Sequence, residues 1–299
     1  MSTITYYRPT NTYNLNDWGN NYRTLTTATH AQTSDGIHTT DLYGIFSYNS
    51  TGITGGTLTG MTWSQNGTPY FGISGLNLSV LQVVNSSASA LDAAVLRGND
   101  TFNGSYGNDG FYGYTGNDTF NGGAGIDTVF YDGSKSSITA TPSGSGYKVT
   151  TLGKTDTLNG IERIEAGNGS ILALDVKTGE NTGSAYRAYQ AAFDRKPDLA
   201  GLNYWVKQMD NGMSLKEVAM GFVNSTEFKT LNPSNDTTAI LNSYYQHVLH
   251  RAPDAVGQAY WSAAMNSGTP AYEVLAAFAE SNENIAATAP ALNGGIWLS

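Results

Sequence analysis

The stretch LRGNDTFNGSYGNDGFYGYTGNDTFNGGAGIDTVF, residues 96–130, decides the fold. An aspartate recurs every nine residues, at Asp100, Asp109, Asp118 and Asp127. Two residues before each stands a glycine: Gly98, Gly107, Gly116 and Gly125. Two residues after each stands an apolar residue: Phe102, Phe111, Phe120 and Val129. Three positions held in phase over four copies demand a repeating structural unit. Nine residues suffice for a short strand and a tight turn, with the apolar side chain inward and G-x-D in the turn. Glycine permits the positive φ that such a turn needs.

The same turn has a chemistry. Its glycines let backbone carbonyls face a cation, and its aspartate adds an anionic oxygen. Calcium takes ~6–8 oxygens in flexible geometry, more than one turn supplies. Two strands make one coil, so copy i lies over copy i+2. Asp100 then shares a cation with the Asp118 loop, and Asp109 with the Asp127 loop. Four copies of this kind hold roughly two or three Ca2+ ions; magnesium fits less well, because it demands a stricter octahedron and keeps its waters. The expected metal residues are Gly98, Asp100, Gly107, Asp109, Gly116, Asp118, Gly123, Gly125 and Asp127. The plainer alternative is a glycine-rich loop with incidental acids.

Composition narrows the partners. The chain has 299 residues, a formal charge of −9 and only 13% charged residues. No basic patch is present to neutralise phosphates, so a nucleic-acid partner is not expected. The absence of cysteine removes disulfides and thiolate metal sites. No run reaches the ~18 apolar residues of a membrane helix, so a membrane-spanning chain is not expected. The start, MSTITYYRPTNTYNLNDWGNN, lacks the basic and apolar regions of a secretory signal peptide.

Three zones lie along the chain, and the expected fold is multidomain β plus α. Residues 1–95 are rich in Thr, Tyr, Gly and Ser. Runs such as TLTGMTW and TPYFGISGLNLSVL predict an N-terminal antiparallel β domain. Residues 96–175 predict a short parallel β-roll with calcium loops and following strands, in which SITATP-SGSG-YKVTTL forms a hairpin and TDTLNGIERIEAGNGSILAL continues the sheet. Residues 185–299 predict a C-terminal α-helical bundle of two 56-residue repeats, about three short helices each. Tyr189, Arg195, Asp198, Gly201, Trp205, Phe222 and Ser225 match Tyr245, Arg251, Asp254, Gly257, Trp261, Phe278 and Ser281. Gly212 and Gly268 suit left-handed helix ends, Ser214 to Glu217 has capping-box spacing, and Thr269-Pro270 suits an N-cap followed by proline. Pro197-Asp198 and Pro253-Asp254 read as turns and caps rather than as ligand sites.

GGAGIDTVF, residues 122–130, matches G-G-x-G-x-D-x-U-x completely, and the region resembles the calcium-binding β-roll of RTX (repeats-in-toxin) proteins. The other copies depart from it: VLR replaces the leading glycines of the first, and GSYGNDGFY and GYTGNDTFN keep only the first glycine. DTLNGIERIEAGNGSILALDV is similar to the strands that follow such rolls in type I secreted proteins. The helical copies, with R-x-P-D-x-x-G-x-x-Y-W, are similar to a C-terminal repeat domain of unknown function that is itself reminiscent of phycobilisome-linker sequences. The resemblance implies a secreted protein, exported by type I secretion machinery that reads a C-terminal signal, with APALNGGIWLS as a candidate part of that signal. It also implies a chain that stays open in calcium-poor cytosol and folds on extracellular calcium.

A catalytic centre is not legible. H-E-x-x-H and G-x-S-x-G are both missing. His247 and His250, three apart on an expected helix, offer at most a weak metal pair. TGITGGTLTG and ISGLNLSVL resemble the sheet half of secreted haem-scavenging proteins, which would make His30 a candidate ligand. The leading expectation is a non-enzymatic, self-associating structural protein of a surface layer, extracellular matrix or biofilm. The alternatives are a polysaccharide-binding adhesin and an enzyme with an unrecognised site in residues 1–95. Nineteen tyrosines and five tryptophans supply aromatic surface for either association or sugar stacking.

Overall fold

Thr-rich alternating runs open the chain as strands. The computed structural model describes residues 1–8, 22–34, 36–49, 52–85, 94–234 and 236–299. Six strands come first: β1 (Thr3–Tyr6), β2 (Tyr22–Thr26), β3 (His30–Ser34), β4 (His38–Asn49), β5 (Gly52–Gln65) and β6 (Thr68–Ser79). A short helix, α1 (Val80–Asn85), follows them. Strands β2 to β6 form the expected antiparallel sheet. Asn66-Gly67 closes the β5–β6 hairpin with φ of 50° and 73°, the left-handed pair that a two-residue turn requires.

The nonapeptide region forms β7 (Thr101–Asn103), β8 (Gly110–Tyr112), β9 (Thr119–Asn121) and β10 (Thr128–Tyr131). Copy i lies over copy i+2, as the period predicts: β7 pairs with β9 and β8 with β10, all parallel. The expected hairpin is present as β11 (Thr139–Ser143) and β12 (Gly146–Thr151). Strands β13 (Lys154–Asn159) and β14 (Arg163–Ala166) then return to the roll on opposite sides, β13 beside β9 and β14 beside β10. The roll therefore has a third coil, built from sequence beyond the nonapeptides. Phe102, Phe111, Phe120, Val129, Leu158 and Ile164 are all buried in it. Phe120 lies stacked on Phe102 at 4.8 Å and tilted against Phe111 at 5.8 Å.

The chain divides into two compact units, Met1–Ser170 and Ile171–Ser299. Residues 1–95 and the roll share the first unit because β1 bridges them, antiparallel to β6 and parallel to β7.

In the second unit β15 (Ile171–Ala173) pairs antiparallel with β16 (Ile296–Trp297). Between them in sequence lie α2 (Asn181–Phe193), α3 (Leu199–Asp210), α4 (Leu215–Asn224) and α5 (Thr226–Leu231). The second copy gives α6 (Thr237–Leu249), α7 (Ala255–Asn266), α8 (Ala271–Ala279) and α9 (Asn282–Leu292). Each repeat thus has four helices rather than three. The matched serines explain the extra one: the Ser225 and Ser281 hydroxyls accept from the N–H groups of Phe228 and Asn284 and cap α5 and α9. Asp198 and Asp254 cap α3 and α7 through Gly201 and Gly257, and Ser214 and Glu217 complete the capping box. Gly212 and Gly268 take φ of 97° and 104°. Pro270 is the N-cap of α8 itself, one position earlier in the helix than expected, and no side chain caps that end. Arg187 is buried and bidentate to Glu280, and it also donates to the Val176 and Lys177 carbonyls.

Phe120 packs against the rings of both strands of the preceding coil, so Phe120→Ala is expected to destabilise the first unit by about 3–5 kcal/mol. Urea unfolding of the calcium-loaded protein, followed by tyrosine fluorescence, measures it. A loss below about 1 kcal/mol would place the core of the roll elsewhere.

Candidate metal centre

The aspartates form two columns inside the roll. In the first, the Ser2 N–H donates to Asp100 Oδ1, the Asp100 N–H to Asp118 Oδ1 (2.9 Å) and the Asp118 N–H to Asp156 Oδ1 (2.8 Å). In the second, the Asp109 N–H donates to Asp127 Oδ1 (2.8 Å) and the Asp127 N–H to Glu162 Oε2 (2.9 Å). Asp118, Asp156, Asp127 and Glu162 thus each spend one oxygen on the coil before. Asp100, Asp109, Asp118 and Asp127 are at most 2% exposed. The second oxygens of Asp100, Asp118 and Asp127 are buried and accept no hydrogen bond. Asp109 differs, because its Oδ2 accepts from the Ser105 N–H and hydroxyl at 2.6 and 2.9 Å.

The other turn residues hold the coils together. Asn99, Asn108 and Asn117, each just before an aspartate, accept through Oδ1 from the N–H groups of Asn117, Ile126 and Thr155 in the next coil. Gly98, Gly116, Gly123 and Gly125 take φ of 105°, 115°, 104° and 125°. Gly107 does not adopt a positive φ, so its turn departs from the expected one. Three further glycines, the leading glycines of the last three copies and themselves nine apart, belong to the site although they were not among the expected metal residues. A Cβ on Gly113 would stand 2.3 Å from Asp118 Oδ2, and one on Gly122 2.4 Å from Asp127 Oδ2. A Cβ on Gly104 would meet the Gly122 carbonyl at 1.8 Å. Asp156 and Glu162 were also missed. The signal for Asp156 is T-D-T-L-N-G (155–160), which repeats N-D-T-F-N-G (117–122) after an interruption.

Burial sets the electrostatics. The Asp118 and Asp127 carboxyls are pushed up from 3.8 to about 7. Loss of solvent is the main cause. The backbone N–H of Asp100 or Asp109 opposes it, and the like charges of Asp156 or Glu162 add to it. Burial raises Asp100 as well. A buried anionic oxygen without a partner is costly, and a hard cation bound among oxygens removes that cost. The donor set, carboxylates and backbone carbonyls without sulfur or imidazole, fits calcium rather than zinc. Among the described residues no cluster of three or more His, Asp or Glu side chains is placed to hold a metal ion. A calcium site here therefore rests on carboxylate pairs from stacked turns, completed by main-chain oxygens.

The histidines are engaged elsewhere. His30 Nε2 lies 2.8 Å from Asp41 Oδ1, and its ring stacks on Tyr43. His247 Nδ1 is 3.1 Å from the Ser243 hydroxyl, and His250 ends α6 in the left-handed conformation.

Parallel coils with buried carboxylates at an eighteen-residue offset define a calcium β-roll. The family model for the RTX calcium-binding nonapeptide repeat (4 copies) matches residues 96–129, and that for a domain of unknown function, DUF4214, matches residues 179–232 and 234–288. The chain thus contains a stretch of RTX calcium-binding nonapeptide repeats followed by two stretches that match DUF4214. Comparison with curated proteins and with solved structures gives no match. Among the described residues no helix is long and apolar enough to cross a membrane.

The raised carboxyls give calcium-free protein a pH signature. Asp118 and Asp127 ionise near 3.8 when unfolded and near 7 when folded, so between these values the folded roll holds protons that the unfolded chain has lost. Stability without metal then falls as pH rises from about 4 to about 7. Melts in chelator are expected to show this, with a flatter slope for Asp118→Asn combined with Asp127→Asn. Calcium is expected to stabilise most at the upper end, since its binding requires the ionised forms. A chelated melting temperature that stays level or rises over that range would contradict the assignment.

Proposed function

We propose that this chain is an exported, non-enzymatic structural protein of a cell surface or extracellular matrix, whose roll folds on meeting external calcium. The observation that carries the reading is the set of buried Oδ2 atoms of Asp100, Asp118 and Asp127 that accept no hydrogen bond. Without a cation they oppose closure of the coils, and with one they favour it. Asp100 with Asp118 and Asp109 with Asp127 would hold the metal. Gly98, Gly107, Gly116, Gly123 and Gly125 would bring main-chain oxygens to it. The three functional parts are residues 1–95, 96–175 and 185–299. Export through type I secretion machinery is part of this reading: a chain kept open in calcium-poor cytosol would pass a narrow channel, and the RTX repeats support it. Exposed Tyr7, Ile45, Tyr106, Tyr112 and Tyr114 on the first unit supply apolar area for self-association into a surface layer or biofilm scaffold.

A second reading, a polysaccharide-binding adhesin, is favoured by one groove. It is lined by Thr3, Thr5, Tyr7, Tyr43, Thr59 and Thr62, among others, and Tyr7 and Tyr43 are exposed. Hydroxyls beside open aromatic faces suit sugar rings.

Analytical sedimentation of chelated protein, with calcium then raised stepwise to millimolar levels, tests these readings. The structural reading expects compaction followed by large assemblies that dissolve in chelator. Compaction without assembly would favour the adhesin, to be followed by a polysaccharide pull-down and by Tyr7→Ala combined with Tyr43→Ala. No change in shape or size would overturn the calcium assignment of the four aspartates.

A further inference from the structure

The third coil presents a cation of its own. The register that pairs β13 with β9 sets Thr157 beside Thr119 and Leu158 beside Phe120, which places Asp156 beside Asp118 and Lys154 at the position held by Gly116 one coil earlier. Asp156 is fully buried and continues the first column. The Lys154 ammonium lies 3.3 Å from Asp156 Oδ2 and 4.0 Å from Asp118 Oδ2, and donates to the Tyr114 carbonyl at 3.1 Å. The Tyr131 ring covers it at 5.1 Å, and the Tyr131 hydroxyl donates to Asp156 Oδ2. The lysine side chain is only 17% exposed.

These neighbours are two carboxylate oxygens from stacked turns and one main-chain carbonyl. One coil earlier, eighteen residues back from Asp118 and Tyr114, stand Asp100 and Leu96. There a glycine occupies the place of the lysine, and Asp100 Oδ2 and Asp118 Oδ2 have no hydrogen-bond partner. The coil that has the lysine needs no other cation; the coil that has the glycine does.

We propose that Lys154 fills the cation position between Asp118 and Asp156 with its own ammonium, so that the roll ends in a calcium-independent coil. This rests on the reading that Asp100 and Asp118 hold calcium in the coil before. The built-in cation caps the first column and stops the series of metal sites on that side. It also gives the chain a closed rung, the β12–β13 hairpin with its lysine, against which the calcium-requiring coils assemble.

Calcium titration calorimetry of chelated wild-type, Lys154→Gly and Lys154→Met proteins tests the proposal, with calcium chloride as the probe. Lys154→Gly restores the repeat residue and is expected to bind one more calcium than wild type. Lys154→Met fills the space without charge. It is expected to bind no additional ion and to melt lower than wild type in chelator. Equal stoichiometry in wild type and a folded Lys154→Gly protein overturns the proposal while leaving the calcium reading intact; a wild type that binds no calcium overturns the calcium reading itself. Should Lys154→Gly fail to fold, hydrogen exchange of chelated wild type decides. Protected amides in residues 146–159 support the proposal, and protection there only after calcium is added refutes it.

Discussion

A carboxylate sealed away from water needs a positive partner, and this roll stacks such carboxylates in two columns. The constraint organises the roll. The inward phenylalanines that drive the coils together are the same residues that pull the aspartates out of solvent two positions earlier. Hydrophobic burial and charge desolvation therefore cannot be separated in this sequence. Closing the coils gains apolar contact and, in the same movement, confines anionic oxygens. The metal, or a lysine in its stead, decides which term wins.

The second unit solves a different problem with repeated polar residues. Tyr189, Arg195, Asp198 and Glu227 form a linked cluster at the surface, and Arg251, Asp254 and Glu283 recur in the second copy beside Tyr245. The R-x-P-D-x-x-G pattern is thus accounted for within the fold. The arginine spans a helix junction, the aspartate caps the next helix, and the glycine leaves room for the tyrosine ring or hydroxyl. No ligand is required to explain it.

Much of this architecture is legible in the sequence itself. The eighteen-residue stacking of Asp100 on Asp118 and Asp109 on Asp127 followed from the period alone, because a two-strand coil leaves no other neighbour. The third coil was hidden by the β11–β12 hairpin, which pushes Asp156 thirty-eight residues beyond Asp118 and breaks the phase. Glu162 was hidden by its identity as well, since it is a longer acid at a position where aspartate was sought. The role of Asn99, Asn108 and Asn117 escaped for a subtler reason. Composition marks asparagine as a turn residue, and only the stacked geometry reveals which N–H its side chain meets. The joining of residues 1–95 to the roll rests on β1, a four-residue strand with no local sign of its distant partner β7.

Asn103, Asn121 and Asn159 also stack along the roll, their amides linked at 2.9 Å, and each is followed by a glycine. Asparagine before glycine is the dipeptide most prone to attack by the following backbone nitrogen, the route to deamidation. In the closed roll the side chains of this ladder are held by one another and the following glycines are packed against neighbouring coils. In the open chain all three are free to cyclise. The coil geometry therefore sets the rate of chemical ageing at these three positions as well as their placement, with spontaneous damage accumulating in whichever copies spend longest unfolded.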